Sequence, residues 1–489
     1  MLAPGDGSKP SQRRFAAGVR LYPSEAGTGA PVVQAPQRPD RDAMVMMSGL
    51  LLLGAVAVAS FGQGAVFSTM QWLVAALTAV AFAVAVAVRP LSVAELRGGI
   101  VIAGLSLAVW ALLRAAQAGT PVTGFSWALF GAGTAAAVSV CRRLDIATRG
   151  TLLGGAFTVG IVVAATGWLG VALHERPWGL PSQGLWRASS TLTYANAAAA
   201  LLVPLALVAL SRLAATPGPA YLSLAATSLL AGAGATLSRA GAAAFVAGFL
   251  VLCGLRGARV VVRAAAGPLA GAGVVLLGLV PSMSAAGPAR PLVAAIALAA
   301  GLALAVLMPR IRGRAWGLLA AGAALAAGLI VVYQAPGVHS ALRALAGTRF
   351  NLASPDRSGE TGAALRLIGQ HPLAGVGPGH ATLRWTGPGG GLRVDRYVHD
   401  GYLQVLTDLG IIGAALLAIF MAAAGRLLWR ARVDLPLPAL WAGAVAGVTA
   451  FAVHSGFDFL WQVPAIPLTV AVLAGLAAPS ITRSAARAP

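Results

Sequence analysis

The residues best suited to chemistry are a histidine and a small number of arginines that interrupt long apolar runs. His399 lies in the segment YVHDGYL at positions 397–403, directly before Asp400. Because an imidazole can take up a proton near neutral pH without a metal, His399 is a candidate general base that Asp400 could orient. A histidine near water in a helix is often structural, so both interpretations stay open at this stage.

Arg239 occupies the turn SRAG at positions 238–241, between two apolar runs. An ionisable side chain costs roughly 2.5 to 3.5 kcal/mol at mid-membrane and less near the membrane edge. The position therefore favours a functional arginine, with a snorkelling side chain as the alternative. Arg114, near the end of another apolar run, leaves the same two alternatives open.

Two further polar residues, His454 and Asp458, are four positions apart and would share one face of a helix. They could pair with each other for structural reasons or belong to a site. The segment GVGPG at 375–379 is predicted to be a turn. It does not fit a phosphate loop, since no Lys-Ser/Thr follows it and Pro378 has no N–H to donate.

The composition indicates that membrane helices must position these residues. The chain has 489 residues, 58% hydrophobic and 10% charged, with a mean hydropathy of +0.81, which excludes an ordinary soluble protein. Its formal charge of +21 resides in short loops between apolar runs, so nucleic acid is not an expected partner. Cys141 and Cys253 lie in or beside apolar runs, which predicts neither a disulfide framework nor a zinc cluster.

Runs of about 20 apolar residues can cross a bilayer, and counting them predicts an all-α, polytopic transmembrane helix bundle with about 12 to 14 spans. The predicted spans lie near 43–61, 67–88, 99–117, 124–141, 151–173, 192–211, 219–236, 240–255, 264–281, 291–308, 316–333, 404–424, 438–454 and 461–479. Arginines are concentrated in alternate loops, and the positive-inside rule then predicts that both termini are cytoplasmic.

These runs predict the organisation of the whole chain. It comprises a disordered cytoplasmic tail at 1–42, helices 1–11 at 43–333, a large extracytoplasmic loop at 334–403, helices 12–14 at 404–479 and a cytoplasmic tail at 480–489. The large loop is expected to be partly helical, because residues 363–368 place apolar side chains on one helical face. A second helix is expected at 398–409, ending at Gly410, and the glycine-rich stretch 387–391 could act as a flexible lid.

Four separated segments resemble the O-antigen ligase and polymerase family of bacterial membrane glycosyltransferases. They are DRSGETGAALRLIGQHPLAGVGPG at 356–379 continuing as VHDGYLQVLTDLGIIG at 398–413, SRAG at 238–241, RASSTLTYANAAA at 187–199, and HSGFDFLWQVP at 454–464. Their order along the chain and their expected position outside the membrane make the set more specific than any single motif.

The resemblance implies both an activity and a set of site residues. Family members transfer a glycan from undecaprenyl diphosphate to an acceptor hydroxyl on the outer side of the bacterial cytoplasmic membrane, with inversion and without a metal or cofactor. The partners implied are this lipid-linked donor, a glycan, lipid or protein acceptor, and membrane lipid. The residues implied are His399 as the base, Arg239, Arg357 and Arg187 as diphosphate ligands, and Asp400, Asn196, His454 and Asp458 as supporting groups, with no metal ligand.

Two other classes of protein remain as alternatives. A transporter or flippase for lipid-linked sugars would also have many spans, but it would not need a long outer loop that carries His and Arg. A membrane scaffold without enzymatic activity would tolerate alanine at every candidate residue. Ligase and polymerase differ only in the acceptor, which the motifs leave open.

Overall fold

The computed structural model describes residues 39–97, 99–216, 218–311, 338–349, 355–387, 389–432 and 437–481, and most of them are helical. The described residues from Asp40 onward form one compact unit. The helices are α1 Pro39–Phe61, α2 Ser68–Val88, α3 Val93–Arg97, α4 Ile100–Gln117, α5 Phe125–Ala128, α6 Thr134–Arg143, α7 Ile146–Ala172, α8 Ala195–Ala215, α9 Ala220–Ala235, α10 Arg239–Arg256, α11 Ala258–Met283, α12 Pro291–Ile311, α13 Val338–Arg349, α14 Pro355–Gln370, α15 Gly401–Ala431, α16 Pro438–Ser455 and α17 Ala465–Ala477. The strands are β1 Gly179–Ser182, β2 Leu185–Ala188, β3 Leu383–Thr386 and β4 Leu392–Asp395.

The predicted all-α polytopic bundle is confirmed. Within the described residues, 11 helical segments are long and apolar enough to cross a membrane, and the shorter apolar helices α9 and α17 accompany them. Together they coincide with every predicted span except 316–333, which lies outside the described residues. The first helix begins at Pro39, slightly before its predicted start. Which ends of the helices face the cytoplasm stays a prediction.

Helix α8 is the most deeply buried of the candidate spans and packs against α9, α10 and α16. Small residues make this close packing possible. A Cβ atom at Gly443 of α16 would lie 2.7 Å from the Cα atom of Val208 in α8, and one at Gly447 would lie 3.1 Å from Pro204. Close approach of small residues favours association of helices in a membrane, where no hydrophobic effect drives them together. Helix α8 matters for function because its first turn carries Asn196.

Helix α15 is broken at Gly410, where the sequence predicts that a helix ends. Gly410 has φ 65° and ψ −166°, a conformation that is essentially restricted to glycine. The loop after α14 pairs with the broken backbone: the N–H of Ile411 donates to the carbonyl of Pro372 over 2.9 Å, and the N–H of Val376 donates to Thr407 over 2.9 Å. The turn of α15 before the break begins at Gly401, somewhat later than predicted.

The predicted turn at 375–379 is held in place by Arg114. The Arg114 Nε donates to the carbonyl of Ala374 over 2.8 Å, and its Nη2 donates to the carbonyl of Gly375 over 2.9 Å. Arg114 therefore connects α4 to the loop after α14.

Two β-hairpins are additional to the predicted helices. Strands β1 and β2 pair antiparallel with Gly179 opposite Ala188, and β3 and β4 pair antiparallel with Leu383 opposite Asp395. The N–H of Gly387 donates to the carbonyl of Gly391 over 2.9 Å. This hydrogen bond lies between the ends of β3 and β4, and the role of the stretch 387–391 as a lid stays a prediction.

Candidate functional site

His399 is held by a carboxylate that lies on the helix α14. The His399 Nδ1 is 3.0 Å from Oε2 and 3.1 Å from Oε1 of Glu360, and the backbone N–H of His399 donates to the same Oε1 over 2.5 Å. Glu360 is buried, whereas 29% of the His399 side chain is exposed. A buried acid thus fixes one edge of a histidine ring that solvent and ligands can reach.

This contact determines which nitrogen of His399 can act as a base. A carboxylate only accepts hydrogen bonds, so the Nδ1 of His399 carries the hydrogen that it donates to Glu360. In the neutral ring the lone pair is then on Nε2, which makes no hydrogen bond within the described part of the chain. His399 therefore presents an oriented proton acceptor to its open side.

Asp400, which was expected to orient His399, has a different role. Its carboxylate accepts a hydrogen bond from the backbone N–H of Leu403 over 3.1 Å and caps the N-terminus of α15. Burial raises the pKa of Asp400, although hydrogen bonds from the backbone of Leu403 and Tyr402 oppose the shift. The physical reason for the correction is that Asp400 turns back onto its own helix, so that Glu360 contacts the imidazole instead.

The charges around His399 favour its protonated form. Burial on its own lowers the pKa of the imidazole, but the hydrogen bond to Glu360 and the negative charges of Asp458 and Glu360 outweigh it, so that the pKa is raised above its ordinary value. The positive charge of Arg357 opposes this rise, which means that Arg357 is close enough to act on the ring. The structure therefore brings together Arg357 and His399, two of the residues expected from the sequence.

Arg357 and Glu360 occupy the same helix, α14, three residues apart. This spacing places both side chains on one helical face, and Gly359 lets that helix lie against the indole of Trp385, since a Cβ atom there would be 2.3 Å from the ring. Sequence reasoning selected Arg357 through the family resemblance and missed Glu360. The sequence does contain a signal for Glu360. Its three-residue spacing from Arg357 within a helix predicts that both side chains reach the same site.

Asp458 is the centre of a second group of polar residues. Its Oδ2 accepts hydrogen bonds from the Tyr194 hydroxyl over 2.5 Å and from the Asn196 amide over 2.6 Å. The Asn196 Oδ1 in turn accepts from Arg187 over 3.1 Å. Asp458 is fully buried and its charge acts on His399. The structure thus links Arg187, Asn196 and Asp458, which are far apart in sequence, and adds Tyr194, which sequence reasoning missed.

Arg239 is the first residue of α10, three positions after Thr236, which Arg187 contacts. The preceding turn is tight, with Leu237 at φ 51°, and the Ser238 hydroxyl caps the helix by accepting from the N–H of Gly241 over 3.1 Å. Arg187 donates to the carbonyl of Thr236 in the same turn over 2.9 Å. The turn predicted for SRAG is thus present, and Arg187 connects it to Asn196.

His454 makes no hydrogen bond to Asp458, although such a pair is one of the two alternatives that the sequence leaves open. Both ring nitrogens of His454 are buried and lack a hydrogen-bond partner among the described residues. Asp458 follows the end of α16, where its Oδ1 accepts from the backbone N–H of Phe459 over 2.9 Å. The helix ends at Ser455, so the four-residue spacing no longer brings the two side chains together as it would on a continuous helix.

No group of three or more His, Cys, Asp and Glu side chains within the described residues has the arrangement of a metal site. The charged groups gathered around His399 are instead one arginine and two carboxylates, those of Arg357, Glu360 and Asp458. Arg187 is linked to them through Asn196. The arrangement can orient a proton acceptor and present guanidinium groups to an anion.

The helix bundle and this cluster define a multi-pass membrane protein with a site built from several helix ends and one loop. Residues 289–418 match the family model of the O-antigen ligase. The match contains Arg357, Glu360 and His399, and it supports the resemblance of the chain to the O-antigen ligase and polymerase family. The chain therefore has a glycosyltransferase-like function in a bacterial membrane, with lipid-linked glycans and glycan acceptors as the general kind of partner. No curated protein matches the chain.

Proposed function

We propose that this protein transfers a glycan from an undecaprenyl-diphosphate-linked donor to an acceptor hydroxyl, as an inverting and metal-independent enzyme. The reaction takes place on the outer face of the bacterial cytoplasmic membrane. The observation that supports this proposal most strongly is the His399 ring, whose Nδ1 is bound to buried Glu360 while Arg357 lies within electrostatic reach. A base beside a cation is what transfer from a diphosphate requires.

The proposed base is the Nε2 of His399. The acceptor oxygen attacks the anomeric carbon of the donor sugar and its proton passes to Nε2, while the bond from the anomeric carbon to the diphosphate oxygen breaks. The electron pair of that bond leaves with the diphosphate, and attack from the opposite face inverts the anomeric centre. Glu360 stabilises the imidazolium that forms, in the same way that a buried carboxylate supports the histidine of a hydrolase triad.

Guanidinium groups would bind the leaving diphosphate. Its negative charge grows in the transition state, and the forked donors of arginine match phosphate oxygens. Arg357 and Arg239 are the main candidates, and the N-terminus of α10 at Arg239 adds a partial positive charge that favours an anion. Arg187 is a third candidate, oriented in advance by its hydrogen bonds to Thr236 and Asn196.

The test is a transfer assay with purified full-length protein in lipid vesicles. The lipid-linked donor and an acceptor are supplied, and both the new glycosidic bond and the released undecaprenyl diphosphate are measured. We expect that His399→Ala and Arg357→Ala abolish transfer while protein levels stay normal. His371→Ala and Arg393→Ala are matched controls, because both residues are exposed in the same extracytoplasmic segment, and they should retain activity.

Two outcomes would contradict the proposal. A flippase for lipid-linked sugars would move the donor across the vesicle membrane without forming a glycosidic bond. A strict requirement for Mg²⁺, or complete inactivation by EDTA, would contradict the binding of the diphosphate by arginines alone. Replacing Arg239 with Lys tests this binding more finely. The variant should lose activity, because a point charge cannot reproduce a bidentate guanidinium.

A further inference from the structure

His454 is a buried polar ring in the last turn of α16. Only 1% of the residue is exposed, and neither ring nitrogen has a hydrogen-bond partner in the part of the chain that the structure describes. A buried donor or acceptor without a partner lowers the stability of the fold, so such groups normally bind protein, water or a ligand. The imidazole at this position is therefore not explained by the packing of the helices.

The packing of α16 against α8 places this ring at a junction of helix ends. The contacts of Gly443 and Gly447 with α8 show that the two helices run antiparallel. Continued to the end of α16, this register brings His454 beside the first turn of α8, which carries Asn196. Arg187 joins that first turn to the turn before α10. The starts of α8 and α10 and the end of α16 thus meet in one region.

This region is the one in which the donor sugar must lie. The charges of Asp458 and Arg357 act on His454, and the same two charges act on His399, so both rings border one space. In an inverting transfer the acceptor and the leaving diphosphate lie on opposite faces of the anomeric carbon. The donor sugar therefore lies between the base His399 and the arginines, beside His454.

The two nitrogens of His454 restrict the kind of group that can bind there. In the neutral form expected of a buried ring, an imidazole has one N–H donor and one acceptor lone pair. Phosphate oxygens only accept, so a phosphate would leave the lone pair without a partner. Hydroxyl groups both donate and accept, so neighbouring groups of one sugar can satisfy both nitrogens. The negative charge of Asp458 also disfavours a phosphate at this ring.

We propose that His454 determines donor specificity, because its ring hydrogen-bonds the hydroxyl or acetamido groups of the sugar that is linked to the diphosphate. A site built to hydrogen-bond a hydroxyl rejects a sugar that lacks it, since the buried polar group of the protein is then left unpaired. The ring lowers the stability of the empty protein, and the correct donor supplies the missing hydrogen bonds. This inference rests on the proposed function and adds donor selectivity to it.

The experiment measures the stability and the donor binding of His454→Phe, in which an apolar ring replaces the imidazole. We expect the Tm of the full-length protein without ligand to stay the same or to rise, because the wild-type ring has no hydrogen bond to lose. In vesicles, the KM for the lipid-linked donor should rise about 5- to 150-fold. The inhibition constant of undecaprenyl diphosphate, which carries no sugar, should not change. His454→Asn, which keeps donor and acceptor groups, should restore part of the affinity.

Thr449→Val is the matched control on the same helix. The Thr449 hydroxyl already donates to the carbonyl of Val445 over 3.0 Å, so its removal should leave the KM for the donor unchanged.

Three outcomes separate the inference from its alternatives. The inference is overturned if His454→Phe keeps the wild-type KM for the donor, and a lower Tm would then identify a structural ring bonded to a buried water. It is also overturned if inhibition by undecaprenyl diphosphate weakens as much as donor binding, since the ring then binds the phosphate. A wild-type protein that the donor stabilises through His454 but that forms no glycosidic bond would overturn the proposed function and not the inference.

Discussion

Replacing Glu360 with Gln removes one negative charge and one hydrogen-bond acceptor without changing the size of the side chain. In the wild-type protein, the two oxygens of Glu360 serve two donors, the backbone N–H of His399 at 2.5 Å and its ring Nδ1 at 3.0 Å. A glutamine offers a single oxygen and an NH₂ group. The backbone N–H can only donate, so the remaining oxygen is expected to stay with it and the NH₂ group then faces Nδ1.

This rearrangement would favour the wrong tautomer of the imidazole. A ring that accepts a hydrogen bond at Nδ1 carries its hydrogen on Nε2, which then cannot take a proton from the acceptor. Restoring the productive tautomer leaves a buried donor unpaired, at a cost of about 1 to 3 kcal/mol. The transfer rate should therefore fall by roughly 5- to 150-fold, while the KM for the donor changes little.

The pH dependence gives a second, independent readout. His399 must be neutral to act as a base, and the hydrogen bond and charge of Glu360 help to raise its pKa. Wild-type activity should therefore rise with pH through this raised pKa. Glu360→Gln should move the acidic limb of the kcat/KM profile to lower pH, because the imidazole loses a negative neighbour.

The assay is initial-rate transfer over a series of pH values, with equal amounts of folded protein. Glu175→Gln, which neutralises an exposed glutamate elsewhere in the chain, is the matched control and should behave as wild type. The reasoning is refuted if Glu360→Gln keeps the wild-type rate and the wild-type acidic limb. A lower rate with an unchanged acidic limb of the kcat/KM profile would also refute the electrostatic part of the reasoning. Damage to the fold would lower activity equally at every pH and would not shift the profile.

Two further predictions concern the segment around His399. Asp400→Ala removes the cap of α15 and should cost about 1 kcal/mol of stability, measurable as a lower Tm, while kcat changes less than about threefold; a large loss of kcat at an unchanged Tm would mean that Asp400 orients His399 after all. Gly410→Ala should strongly reduce the yield of folded protein in the membrane, because its φ is +65° and a Cβ atom would lie 2.3 Å from the Leu373 carbonyl oxygen, at a cost of about 3 kcal/mol or more. Gly425→Ala is the control on the same helix, since a Cβ atom there meets nothing within 4 Å, and equal yields of the two variants would contradict the strain at Gly410.

The helices could be predicted from the sequence because a membrane span is encoded locally. Some 20 consecutive apolar residues are enough to identify one, whatever it packs against. The break at Gly410 was equally local, since a glycine between a predicted helix and an apolar run marks a boundary. The hairpins at 179–188 and 383–395 were missed, because four-residue strands carry too little periodicity to distinguish them from loops.

The site could be predicted only as a set of residues, since its contacts join distant parts of the chain. The bond between Asn196 and Asp458 spans more than half of the sequence, and no spacing rule reaches that far. The role of Asp400, in contrast, could have been decided from the local sequence. Asp400 directly precedes a helix, which is the position of an N-cap, so its engagement with Leu403 could have been anticipated.

Asp408 shows why a hydropathy profile alone does not reveal the polar contacts inside such a bundle. This carboxylate is fully buried and accepts hydrogen bonds from Gln404, Trp127 and Gln462 at 2.9 to 3.0 Å. Gln404 also accepts from the N–H of Val398, the residue directly before His399, over 2.5 Å. A buried carboxylate is costly unless such donors satisfy it, and here they join three separate parts of the chain. The orientation of His399 therefore depends on a polar group that a hydropathy profile registers only as an interruption in an apolar run.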